Sequence, residues 1–223
     1  MLRYRVARQT WACAALLLAA CARREAAPPK PFELDTTTPL ADPLPMVAAR
    51  VDGHEIPTSQ VVAAAETALR QGAVKEKLLA YRQALNQYVV RELLLAEALR
   101  RGLAADAAEV ERAYDLARVG FRDEERWSEE LKKQGLTPRG FREELRAKQT
   151  VGLLLSQEAD KVEEPGEADV RDAYARLPGG KDKPAFDGMK DQLREQLWRV
   201  RREQHVQGLV NRLRGNARIE TFL

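Results

Sequence analysis

Cysteine is nearly absent: the 223 residues hold two, Cys13 and Cys21. Neither an internal disulfide framework nor a cysteine-rich metal site can be built from them. Histidine is as scarce, with only His54 and His205, so there is no His-Glu-x-x-His pair. No Gly-rich phosphate loop and no nucleophile elbow occurs either. Aromatic residues are 6% of the chain, and no apolar run approaches the roughly 20 residues that span a bilayer core. Charge of one sign is also missing. Lys+Arg number 37 against 34 Asp+Glu, a formal +3, and Arg3, Arg5 and Arg8 lie in a first segment of twenty residues that contains no acid. Without those three the remaining 34 bases equal the 34 acids. A balanced surface offers no basic stripe to neutralise phosphates, which excludes nucleic-acid binding despite a sequence pI near 8.9. What is present, 44% hydrophobic and 32% charged residues, suits a helix-rich globular body.

The first residues form an export signal: three arginines, then the apolar run from Trp11 to Ala20, then Cys21. Leu18-Ala19-Ala20-Cys21 resembles the lipobox of bacterial lipoproteins. That resemblance implies cleavage between Ala20 and Cys21 and a covalent lipid on Cys21, with no other cofactor. Residues 1–20 are then a signal peptide. An anchor of several acyl chains holds far better than a single chain. By the enterobacterial sorting pattern Ala22, in place of Asp, directs the protein to the outer membrane, facing the periplasm. The expected location is the bacterial cell envelope.

Six of the eleven prolines fall between Pro28 and Pro45. Proline fixes φ and removes donors, so residues 21–45 read as an extended, disordered tether. The folded part, residues 46–223, opens with Val47–Val51, Asp52-Gly53 and His54–Ile56, a hairpin whose Asp-Gly pair suits a type I′ turn. Helical spacing then predicts helices over 59–71, 74–101, from Asp106 through Tyr114, 123–134, 138–161, a short one after Pro165 containing Val170 and Tyr174, and 186–213. Asp106 and Thr137-Pro138 supply cap signals. The alternating residues 217–223 read as a strand, and because a lone hairpin is marginal the strand is expected to pair with it. The fold class is mainly α.

The hairpin Val47-Ala-Ala-Arg-Val-Asp-Gly53, the junction Gln134-Gly-Leu-Thr-Pro138, the helix reaching Tyr174 and the closing helix with the Ile219 strand together resemble the SurA/PpiC family, over nearly all of residues 46–223. The resemblance implies a SurA/trigger-factor-like helical chaperone module closed by a small sheet of the hairpin and the C-terminal strand. It further implies binding of unfolded exported or outer-membrane polypeptides. Many members carry a parvulin isomerase domain after the position of Tyr174. Here about a dozen residues lead from Tyr174 to Phe186, so the resemblance implies a chaperone without the isomerase, and no enzyme. A structural or adaptor lipoprotein with one folded partner and a residual prolyl isomerase remain the alternatives, and no oligomeric state follows.

Acid pairs such as Glu124-Glu125, Glu129-Glu130 and Glu143-Glu144 alternate with Lys and Arg and read as solvated helix faces. His54 and His205 read as surface or packing residues. Tyr114, Phe121, Trp127 and Phe141 gather near two helix junctions. They either offer rings to an extended client or fill the core between short helices.

Overall fold

Asp52 and Gly53 reverse the chain with φ of 50° and 89°, the left-handed pair that a type I′ turn needs and that glycine adopts without strain. The hairpin appears so in a computed structural model that describes residues 37–121, 123–177 and 184–223. The leader with Ala20 and Cys21, the tether up to residue 36, and residues 178–183 of the break lie outside the described residues. Strand β1 (Val47–Val51) pairs antiparallel with β2 (His54–Pro57) on one side and with β3 (Ile219–Thr221) on the other, in the order β2-β1-β3. Arg50 stands opposite both Glu55 and Glu220. The C-terminal strand thus closes the sheet, as the alternation of its residues predicts.

Seven helices lie among the described residues: α1 (Thr58–Arg70), α2 (Lys77–Arg100), α3 (Ala107–Arg118), α4 (Glu124–Lys133), α5 (Pro138–Ala159), α6 (Glu167–Arg176) and α7 (Phe186–Asn216). Their starts follow local chemistry. The Asp106, Asp123 and Thr137 side chains accept from the third following backbone N–H at 3.0, 2.8 and 3.0 Å, satisfying donors that a helix start leaves orphaned. Glycines at φ near +70° follow α1, α2 and α4 at positions 72, 102 and 135. Three ends differ from the sequence expectation by three residues or more. Helix α2 starts at Lys77 rather than 74, α3 continues past Tyr114 to Arg118, and α7 runs to Asn216, past Gly208 and Gly215, because Leu209, Val210 and Leu213 stay packed.

Three clusters of apolar side chains hold these elements. The first lies under the sheet, where Ala49, Val51 and Ile56 meet Val61 and Ala65 of α1, Tyr81, Leu85 and Val89 of α2, and Leu223. The second joins Leu94 and Ala98 of α2, Leu154 of α5, and Leu209 and Val210 of α7. The third is aromatic and sits among α3, α4 and α5. Within the stretch expected to be tether, Leu40 packs on the first cluster. Buried Arg82 donates from Nη2 to the Thr38 carbonyl at 2.9 Å and from Nη1 to the Leu223 carbonyl. Contact with the body is therefore already made at Thr38, ahead of Met46, because a buried guanidinium has to find acceptors.

A buried charge cluster ties α7 to α2 and α5. The Glu158 side chain is 2% exposed and accepts from Arg101 Nη1 at 2.5 Å and Lys161 Nζ at 2.5 Å, with His205 Nε2 at 2.6 Å. Glu97 accepts from Arg100 and Arg101 at 2.7 Å each. His205 is thus a packing residue of this junction.

Candidate functional site

Helices α1 and α2 on one side and α4 and α5 on the other leave two cavities, of about 870 and 800 Å³, and Ala64 and Tyr88 line both. The cavities therefore adjoin, and form one groove across the helical body. Its floor and walls follow from helical spacing. On α5 the residues Phe141, Leu145, Lys148, Gly152 and Leu155 recur at intervals of three and four and fall on one face, which lines the larger cavity. On α2 the Tyr88 and Arg91 side chains do the same. On α1, Ala63 and Ala64 leave room because their side chains are short, and the smaller cavity continues along Glu130, Lys133 and Leu136.

Charge around the groove is mostly closed on itself. Arg91 is paired with Glu144 across the gap between α2 and α5 and with Glu92 at 2.9 Å, and its guanidinium lies 4.7 Å from the Tyr88 ring centre. Gln60 of α1 reaches Glu144 at 3.4 Å. Glu144, expected on a solvated face, is instead half-buried here, because α2 and α1 bring a cation and an amide to it. Burial first, and the Glu144 carboxylate second, push the Tyr88 phenol above its ordinary pKa, so it stays a neutral, amphipathic wall. Lys133 pairs with Glu130 at 3.2 Å beside the smaller cavity. Exposed pairs of this kind add little stability, but they neutralise the rim and leave apolar contact as the dominant chemistry.

The four aromatic residues singled out in the sequence do come together, and mainly as core. Trp127 Nε1 donates to the Tyr114 hydroxyl at 2.8 Å. The Trp127 ring meets Tyr114, Phe121 and Phe141 at 5.8, 4.9 and 5.3 Å between centres. Tyr114 is 2% and Trp127 4% exposed, so neither has surface to offer a client. The reason is topological: α4 folds back so that its one aromatic residue points at α3 and α5. Phe121 is half-buried at the edge of this cluster, and Phe141, also half-buried, lines the groove.

Sequence reasoning missed Ala64, Tyr88, Leu145, Lys148, Gly152 and Leu155. One signal was available. Gly152 sits inside a long helix where no turn is needed, and a Cβ added there would meet nothing within 4 Å. Glycine costs a helix interior about 1 kcal/mol relative to alanine. Gly152→Ala is accordingly expected to raise stability by about 0.5–1 kcal/mol, read as an upward shift of the thermal or urea midpoint. An unchanged or lowered midpoint would mean that neighbours already crowd the position.

Among the described residues no group of three or more His, Cys, Asp or Glu converges in metal-ligand fashion, and no helix is long and apolar enough to cross a membrane. A search of curated proteins returns no match to the chain. The family model of the SurA-like N-terminal domain matches residues 35–155. This span contains β1, β2 and α1 to α4 with nearly all of α5, hence every residue lining the groove, and it stops before α6, α7 and β3.

Proposed function

We propose that this chain, which belongs to the SurA-like N-terminal domain family, is a lipid-anchored chaperone that holds unfolded exported or outer-membrane polypeptides in the groove between α1, α2, α4 and α5. The observation that carries the reading is the coincidence of the family match with the groove: the matched span supplies both walls, an apolar floor and a rim whose charges are largely paired. Apolar contact over a long open trough suits clients of differing sequence, since it asks for no particular hydrogen-bond pattern. Association by such contacts is sequence-tolerant and reversible, as a holding chaperone requires.

The place where relatives carry an isomerase supports holding without catalysis. Residues 177–185 alone connect α6 to α7. The two helices are drawn together there: the Tyr174 hydroxyl donates to the Pro184 carbonyl at 2.6 Å, and the Tyr174 and Phe186 rings meet edge-on at 5.3 Å. The purified protein is expected to suppress aggregation of a denatured outer-membrane protein at near-equimolar ratio, while leaving prolyl cis/trans exchange in a test peptide at its uncatalysed rate. Absence of suppression would refute the holding function.

The anchor is proposed from the Leu18–Cys21 pattern. Cys21→Ser is expected to abolish incorporation of labelled lipid and to shift the protein from the membrane to the soluble fraction, or leave it with its leader uncut. Undiminished lipid labelling of the variant would contradict the anchor.

A further inference from the structure

We propose that the groove contains a side-chain subsite formed by the notch at Gly152 and the ammonium group of Lys148. This subsite selects polypeptide segments in which a bulky apolar residue is flanked by a carboxylate. The inference rests on the polypeptide-holding reading and narrows the class of segment held.

Two independent observations carry it. The first is the notch. Gly152 is inside α5, its backbone is not in the left-handed region, and an added Cβ would have open space around it. Neither the backbone nor internal packing therefore demands glycine. Of the glycines within helices, at positions 140, 152, 188, 208 and 215, Gly152 alone lines either cavity of the groove. The missing side chain leaves a gap in the α5 wall beside Val151 and Leu155, where an apolar side chain of a client gains burial.

The second observation is charge. Beside the larger cavity Arg91 is engaged by both Glu92 and Glu144. Lys148 also lines this cavity, on the same face of α5 as Gly152 and one turn before it, and has no carboxylate partner among the described residues. Among the described residues Lys148 is thus the cation of this cavity that stands outside an ion pair, and it lies next to the notch. A segment that places an apolar side chain in the gap and a carboxylate beside it meets both features; a lysine in the same place meets a like charge. Because Lys148 is exposed, the electrostatic preference is modest and screened by salt, about three- to five-fold in Kd at low ionic strength.

The test uses the full-length protein and two short labelled peptides, identical except that a central Leu-Phe pair is flanked by Glu in one and by Lys in the other. Fluorescence anisotropy at low and high salt gives four dissociation constants. The Glu peptide is expected to bind about three- to five-fold more tightly at low salt, with the ratio approaching one at high salt. Lys148→Glu should invert the ratio, and Gly152→Leu should weaken both peptides by at least about ten-fold with no fall in melting temperature. Equal affinity of the wild type for both peptides, or a ratio indifferent to Lys148→Glu, overturns the charge selection and leaves the holding function intact. Undiminished binding by Gly152→Leu overturns the notch. If neither peptide binds, the groove is not a polypeptide site and the subsite falls with it.

Discussion

Replacing Glu158 with glutamine is expected to destabilise the protein by about 2–3 kcal/mol and to flatten its acid sensitivity. The carboxylate lies 2% exposed between α2, α5 and α7. Burial alone would raise its pKa, but the hydrogen bonds from Lys161, Arg101 and His205 together outweigh burial and hold it at about 2, against an ordinary 4.5. Glu97, held chiefly by Arg100 against the opposing effect of its burial, and then by Arg101, also lies at about 2. A folded-state pKa below the unfolded value means that the stabilisation is complete above about pH 4.5. It is lost as pH falls from there toward 2, where the folded protein must also take up the proton. For Glu158 the full effect is on the order of 3 kcal/mol. The two acids share Arg101, so their contributions are not additive. Glutamine keeps the volume and loses the charge. Arg101 then retains Glu97, and Lys161, which is about half exposed, turns to water, which keeps the loss below that of stranding a fully buried ion. Urea midpoints measured from pH 7 to pH 2 check both parts: the variant should start lower and fall less steeply below about pH 4.5. Parallel curves for variant and wild type would show that Glu158 is not the acid-sensitive group. Exposed Glu163 has no ion-pair partner among the described residues, and Glu163→Gln should stay within about 0.5 kcal/mol of wild type.

Trp127→Ala is expected to cost about 3–5 kcal/mol. It removes the ring at the centre of the aromatic cluster, leaves a cavity among Tyr114, Phe121 and Phe141, and strands the Tyr114 hydroxyl that accepts the indole N–H. Trp127→Phe keeps most of the volume and forfeits mainly that hydrogen bond, about 1 kcal/mol. The pair of variants separates the two roles the sequence allows for this residue. A core tryptophan gives a large stability loss graded by volume. A client-contact tryptophan would leave the urea midpoint unchanged in both variants and alter only client affinity. Phe141 borders both the cluster and the groove, so the alanine variant should also loosen one groove wall.

Local chemistry made the scaffold readable. The Asp-Gly hairpin, the Asp106 and Thr137 caps, the Pro138 start and the alternating C-terminal strand each act over a few residues, and each appears where the pattern puts it. The groove was not readable in the same way. It depends on which faces of α1, α2, α4 and α5 are left apart, and a helical stripe such as Leu145-Lys148-Gly152-Leu155 looks alike whether it meets a neighbour or open space. The aromatic residues show the converse. Their gathering near two junctions is visible in sequence, but burial of Tyr114 and Trp127 follows from α4 folding onto α3 and α5. Charge patterning hides depth as well. Arg139–Glu143 and Arg171–Glu167 are exposed pairs four residues apart, as the alternation of signs suggests. Glu97 and Glu158 also have basic residues three or four positions on, yet they are buried where α2, α5 and α7 pack together.

Site-specific photo-crosslinking to a denatured outer-membrane protein locates the bound polypeptide directly. A photoreactive residue is placed in turn at Leu145 and Leu155 in the groove, and at Leu116 and Val119, which are apolar, 75% and 78% exposed, and away from either cavity. If the groove holds clients, crosslinks form from positions 145 and 155 and are sparse from 116 and 119. Strong crosslinking from 116 and 119 with none from 145 and 155 would place the client on the α3 surface and contradict the groove as the holding site.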